Sequence, residues 1–147
     1  MYTIRLRHAI HLSILTTCIA AWAQTNTPTV LSQPKVYSID QTPPNKSPNG
    51  TESRSLLRGT LTTGESVAAH ESTQPVGAAP VALHPIHHSE LIVVRDGEVM
   101  FDHDGTSEKA GPGNVIYVPL GTIHRLRNVG TLPAKYVVVA IGGDIKK

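Results

Sequence analysis

From Ser55 onward the chain alternates between apolar and polar residues in short runs that turn-forming residues separate. Such period-two alternation is typical of β-strands with one buried face. The Asp-Gly pairs and Gly- and Pro-containing segments between the runs favour tight turns. The predicted strands are 55–61, 66–71, 81–84, 89–95, 97–102, 106–109, 114–118, 122–127 and 135–141. Many short strands without a helical stripe predict an all-β sandwich or barrel.

The first 23 residues have a different pattern. Arg5 and Arg7 precede a short apolar run, which ends in the small-x-small sequence 21–23, Ala-Trp-Ala. These are the three parts of a secretory signal peptide. The run is too short and too polar for a good membrane span. We therefore expect a leader over 1–23 that is cleaved after Ala23, and an exported protein that is periplasmic or secreted.

Residues 24–54 are rich in Pro, Thr, Ser, Asn and Gln and poor in large apolar side chains. This composition predicts a flexible N-terminal arm, with 36–39 as a possible edge strand. The β-barrel domain is then expected over 55–147.

Cleavage of the leader changes the charge of the chain. It removes Arg5 and Arg7 and no acidic residue, so that basic and acidic residues become equal in number. No basic patch then argues for a nucleic-acid partner, and no basic amphipathic helix argues for a membrane surface after cleavage. Cys18, the single cysteine, leaves with the leader, so we expect a core without a disulfide, which a bound metal could help to stabilise.

Two histidine clusters carry the candidate chemistry. The first, 84–90, reads HPIHHSE and runs into a predicted strand. Because residues two apart share a face of a strand, one face would carry His84, Ile86, His88 and Glu90. Imidazoles and a carboxylate on one face are suitable ligands for a divalent transition metal. Surface histidines at the entrance of a strand are the alternative.

The second cluster has the form strand, tight turn, strand. Pro119 and Gly121 shape the turn. His124 lies early in the returning strand, on the same face as Leu126. A lone inward histidine is more often a core residue than a ligand, but here a second cluster accompanies it.

These two clusters resemble the two sequence motifs of the cupin family. The first cluster is similar to motif one at His84, Glu90 and Gly97. The second is similar to motif two at all five of its fixed positions, which are Gly113, Pro119, Gly121, His124 and Asn128. The resemblance covers about residues 55–143. It implies a small, jelly-roll-like antiparallel β-barrel, and a homodimer.

The resemblance also implies a metal bound by three histidines and a glutamate, with Ile86 where motif one has its second histidine. Three interpretations stay open. His88 replaces the missing ligand, or a β-bulge turns His87 inward, or the site has lost one ligand. The first interpretation predicts the metal ligands His84, His88, Glu90 and His124. The sequence does not distinguish Fe, Mn, Ni, Cu and Zn.

Function stays open between two classes. One is a metal-dependent cupin enzyme, of dioxygenase or isomerase type, that acts on a small molecule. The other is a non-catalytic module that binds a small ligand or a metal through a degenerate site. The sequence identifies no catalytic residue.

Alternation also predicts the environment of residues outside the motifs. His70 and His103 lie among polar residues and are expected to be solvated. The strand at 135–141 is expected to point Val137, Val139 and Ile141 into the core.

Overall fold

The computed structural model describes residues 29–143 and residue 145. The predicted leader, 1–23, lies outside these described residues. The described part is β apart from one 3-10 helix, Ile39–Gln41, and holds no helix long and apolar enough to cross a membrane. Its strands are β1 (Val30–Leu31), β2 (Asn45–Lys46), β3 (Glu52–Leu61), β4 (Ser66–Gln74), β5 (His84–Pro85), β6 (Ser89–Asp96), β7 (Val99–His103), β8 (Thr106–Ala110), β9 (Val115–Val118), β10 (Ile123–Asn128) and β11 (Ala134–Ile141).

The strands form two sheets. The larger sheet has the order β1–β3–β4–β11–β6–β9, with β2 also on β3, and the smaller has the order β5–β10–β7–β8. Neighbouring strands are antiparallel except for the short parallel pair of β1 and β3. The predicted all-β, jelly-roll-like antiparallel barrel is therefore confirmed.

The core lies between the two sheets. Phe101 and Leu126 of the smaller sheet belong to the same buried cluster as Ile92 and Val138 of the larger one. The most completely buried large side chains are Ile92, Val94, Val99 and Val118. Removing this apolar surface from water is the main force that holds the sheets together.

The inward residues of β11 differ from the prediction. Tyr136, Val138 and Ala140 are buried, whereas Val137 and Val139 are only half-buried on the outer face. Both parities of this strand are apolar, so alternation alone cannot decide which face is inward. Pairing with β4 and β6 decides it.

The outer edge of β3 carries the N-terminal segment. Val30 of β1 lies opposite Thr60, and β2 pairs with the beginning of β3. Gly59 permits the approach of β1, because a Cβ there would lie 2.4 Å from the carbonyl oxygen of Thr29. The edge strand suggested for 36–39 was wrong, since β1 and β2 already occupy this edge of β3.

The segment after residue 83 does not form one continuous strand. β5 pairs with β10 in the smaller sheet, and β6 pairs with β9 and β11 in the larger sheet. Residues 86–88 therefore cross from one sheet to the other. This crossing carries Ile86 into the core, where it is 5% exposed.

An ion-pair cluster lies on the outer face of the smaller sheet. Asp102 accepts hydrogen bonds from Arg127 Nε at 2.6 Å, Arg125 Nε at 2.8 Å and Ser107 Oγ at 2.7 Å. The guanidinium groups, Arg127 foremost, hold the pKa of Asp102 well below its usual range. The cluster ties β7, β8 and β10 together.

We predict that Val118→Ala lowers the free energy of unfolding by about 2 to 3 kcal/mol, because it leaves a cavity in the core. Val115→Ala removes the same atoms from the same strand, but Val115 is 61% exposed whereas Val118 is 0% exposed. The change at Val115 should stay within about 0.5 kcal/mol. Urea denaturation measures both, and equal effects would contradict the assigned faces of β9.

We predict that Asp102→Asn lowers the free energy of unfolding at neutral pH. A carboxyl whose folded-state pKa is depressed stabilises the fold fully above its unfolded-state pKa of about 4, and this contribution is lost as the pH falls towards the folded-state value. The difference in the free energy of unfolding between wild type and Asp102→Asn should therefore become smaller below about pH 4. Urea denaturation across this pH range tests it. Asp96→Asn is the control, since Asp96 contacts Lys135 on the exposed surface. A difference between wild type and Asp102→Asn that does not depend on pH would contradict the prediction.

Candidate metal and ligand site

Three histidines lie side by side across the smaller sheet. His124 of β10 is opposite His84 of β5 on one side and His103 of β7 on the other. Opposed residues of antiparallel strands project from the same face. The rings of His84 and His124 are 5.0 Å apart between centroids, and the ring of Phe101 is 5.6 Å from that of His124. Strand pairing thus unites the two sequence clusters.

Glu90 reaches this row from the larger sheet. Its Oε1 lies 2.9 Å from Nε2 of His88, and its Oε2 lies 3.6 Å from Nε2 of His124. Glu90 therefore stands between two imidazoles that come from different parts of the chain. With His84 beside His124, all four residues predicted as ligands lie in one region of the barrel.

His124 is the most deeply buried of the four. Its residue exposure is 4%, and its Nδ1 has no hydrogen-bond partner among the described residues. Burial lowers the pKa of His124, while the Glu90 carboxylate acts in the opposite direction. The backbone of Thr122 also favours the protonated ring. Its contact with Nδ1 does not have the geometry of a hydrogen bond. A neutral ring keeps a nitrogen lone pair for a ligand.

His84, Ile86 and His87 have different surroundings. The Nδ1 of His84 lies 3.2 Å from the Ala82 carbonyl oxygen. A carbonyl only accepts, so Nδ1 carries the hydrogen of this contact, and the neutral form of the ring would have its lone pair on Nε2. Ile86 belongs to the core cluster, and His87 is exposed.

His70 is a site residue that the sequence analysis missed. It lies in β4, within the predicted strand 66–71, and it lines the barrel interior together with Glu90. Burial lowers its pKa, and Glu90 partly opposes this effect. Only the position of β4 next to β11, and thus close to β6, reveals this role. Alternation predicted a strand over the run SVAAHE, but it could not show which strands lie next to it.

His103 also lies in a strand, at the end of β7 and half-buried. Its Nε2 lies 2.8 Å from Oε1 of Glu108. This hydrogen bond, with a smaller contribution from Asp104, raises the pKa of His103. Its ring also stacks on Phe101, with 4.4 Å between centroids. His103 is thus at the rim of the site, with carboxylates of its own.

Two cavities meet at Glu90 and His70. The first, which we call the histidine cavity, has a volume of about 230 Å³ and is lined by His84, Glu90, His124 and His70 among others. The second, which we call the arginine cavity, has a volume of about 370 Å³. Its lining residues are Arg58, Ala68, His70, His88, Glu90, Ala140 and Ile145.

The donors fit a divalent transition metal in kind. Three imidazoles and a carboxylate form a borderline-soft ligand set, and Nε2 of buried His124 faces the Glu90 carboxylate at 3.6 Å, which is too far for a hydrogen bond. Within the described ranges, however, no three His, Cys, Asp or Glu side chains already surround one point as a metal requires. Instead the donors pair with one another, as His88 does with Glu90.

Residues 69–140 match the sequence profile of the cupin domain. The chain belongs to the cupin superfamily. The matched segment begins in β4 and ends in β11, so it contains every residue of the two histidine clusters. The predicted family membership is confirmed.

Similar proteins extend this finding. An uncharacterised protein of Methanocaldococcus jannaschii is 25% identical over 96 residues, which is 65% of this chain and 77% of that protein. A predicted oxalate decarboxylase of Thermotoga maritima has a TM-score of 0.62 at 20% identity, covering 73% of this chain and 98% of its own. Fe(II) HppE has a TM-score of 0.61 at 14% identity, covering 78% of this cupin and 63% of HppE. The structural likenesses show a shared fold.

We predict that Glu90→Gln lowers the pKa of His124 in the metal-free protein, because the carboxylate is the main group that favours the protonated ring. Titration of the histidine side-chain resonances by NMR measures this shift. Glu98→Gln is the matched control, since Glu98 pairs with Lys109 at the surface. An unchanged or higher His124 pKa in Glu90→Gln would contradict the arrangement.

Proposed function

We propose that this cupin is exported, binds one divalent transition metal through His84, His88, Glu90 and His124, and acts on a small molecule. The observation that carries the proposal is the position of Glu90 between the imidazoles of His88 and His124. The two imidazoles come from distant parts of the sequence, so folding brings both of them close to one carboxylate. The presence of Fe(II) in HppE, a cupin-like neighbour in fold, supports a metal by analogy.

The side chains around the donors have supporting roles. The rings of Phe101 and His124 are in contact, which shields that imidazole from water and favours its neutral form. Ser72, Gln74 and Tyr136 also line the histidine cavity, so this cavity has polar groups that could orient a substrate. A bound metal at these donors supplies Lewis acidity and open coordination positions.

The non-catalytic alternative rests on a specific observation as well. Ile86 stands where the family motif has a histidine, and its side chain is part of the packed core. A chain with one imidazole fewer at this position is compatible with a module that binds a small ligand without a metal. Loss of the metal with retention of ligand binding separates this alternative from the enzyme.

Two further expectations stay predictions. The leader that predicts export, 1–23, lies outside the described residues. The homodimer implied by the family resemblance is not tested by a structure of one chain. Neither affects the arrangement of the site within the barrel.

We predict about one transition metal per chain in protein purified without a histidine tag, measured by elemental mass spectrometry. His124→Ala and His88→Ala should lose it, because each removes an imidazole next to Glu90. His87→Ala is the matched control, since His87 lines neither the histidine cavity nor the arginine cavity, and it should keep the metal. Circular dichroism verifies the fold of each variant. If the wild type takes up no Fe, Mn, Ni, Cu or Zn even after reconstitution, the metal proposal fails and the metal-free module is favoured.

A further inference from the structure

The arginine cavity has a basic wall formed by two neighbouring strands. Arg58 of β3 lies opposite Ala68 of β4, and His70 follows two residues later on the same face of β4. Both side chains line the cavity. Residues in such diagonal positions on adjacent strands are within reach of one ligand group. The two side chains therefore form a single surface towards the cavity.

Arg58 differs from the other arginines of the barrel. Arg54 donates to a backbone carbonyl, Arg95 pairs with Glu71, and two more bind Asp102. Over the described ranges, Arg58 has neither a hydrogen bond nor an ion pair from its guanidinium group. The ring nitrogens of His70 likewise make no hydrogen bond to any residue that the structure describes. Two sets of donors thus face the cavity without an acceptor among the described residues.

Glu90, the acidic residue of the cavity, is not the acceptor for these donors. Glu90 lines it but accepts a hydrogen bond from His88 and faces His124 on the other side. The remaining wall is apolar, with Ala68, Ala140 and Ile145. A volume of about 370 Å³ lies at the low end of the range for small-molecule pockets. The cavity is therefore suited to a small molecule that brings its own acceptor.

We propose that Arg58 and His70 bind the carboxylate of a small organic acid in the arginine cavity. The planar guanidinium fork matches the two oxygens of a carboxylate, and a neutral imidazole adds one N–H donor. The arginine lies near Glu90, which repels the two charges concentrated on one phosphate group more strongly than the single charge of each carboxylate group. A carboxylate also presents two coplanar oxygens to the guanidinium fork. Because Glu90 lines both cavities, the other end of the acid points to the proposed metal donors. This last step alone rests on the proposed function.

Calorimetric titration of the full chain with malonate tests the inference. Malonamide, which has the same size without charge, and inorganic phosphate serve as comparison probes. Malonate should bind, and Arg58→Gln should weaken it by about ten-fold or more, as expected for the loss of a charge-assisted pair. Arg58→Lys should lie in between, because it keeps the charge and loses the fork. His70→Gln should weaken binding by a smaller factor.

Lys135→Gln is the matched control, since it removes one positive charge from the outside of the barrel. It should leave malonate binding unchanged, and thermal unfolding verifies that each variant is folded. Equal affinity of wild type and Arg58→Gln would overturn the inference, and so would malonamide binding as tight as that of malonate. Tighter binding of phosphate would overturn the choice of a carboxylate. Failure of acetate, malonate and succinate to bind the wild type at millimolar concentration would overturn it as well.

The same titration separates this inference from the proposed function when the protein has first been freed of metal with EDTA and then dialysed to remove the chelator. Arg58-dependent malonate binding without metal would support the carboxylate site even if the metal proposal fails. Metal-dependent malonate binding that is insensitive to Arg58→Gln would keep the metal site and overturn the role of Arg58. Metal content should be the same in Arg58→Gln and wild type, because Arg58 is not a donor.

Discussion

The apolar core between the two sheets sets the separation across which Glu90 and His124 meet. Ile92 and Val94 follow Glu90 on the inner face of β6, and Phe101 and Leu126 approach from the smaller sheet. Since this packing excludes water, the contact between carboxylate and imidazole lies in a medium of low dielectric constant, where charges interact strongly. Both the lowered pKa of His124 and the position of the Glu90 carboxylate beside it depend on this core.

The crossing at 86–88 is the second constraint on the site. His84 belongs to the smaller sheet and Glu90 to the larger sheet, so a turn in the chain separates residues that are six positions apart. Ile86 anchors this turn in the core, and His88 is then placed beside Glu90. A histidine in place of Ile86 would have to enter the same apolar surroundings. The unusual residue of the motif thus has a structural role here.

Glu90 connects the chemistry of the two cavities. On one side it faces the row of His84 and His124, and on the other it accepts from His88 close to Arg58. The proposed metal donors lie close to the guanidinium group of Arg58. A ligand with an anionic end and a second polar group would match this arrangement. The two proposals share this residue, but each depends on other side chains that can be changed separately.

The sequence by itself determined the strand pattern, the family and the four candidate donors, because alternation and motif spacing are local properties that the chain displays directly. It did not determine the inward face of β11, since Val137 and Val138 are equally apolar and only strand register distinguishes them. It also did not reveal His70 and Arg58. Their significance comes from which strands become neighbours across the sheet. Tertiary structure decided this, because the packing of distant strands, rather than local preference, brings their side chains to one cavity.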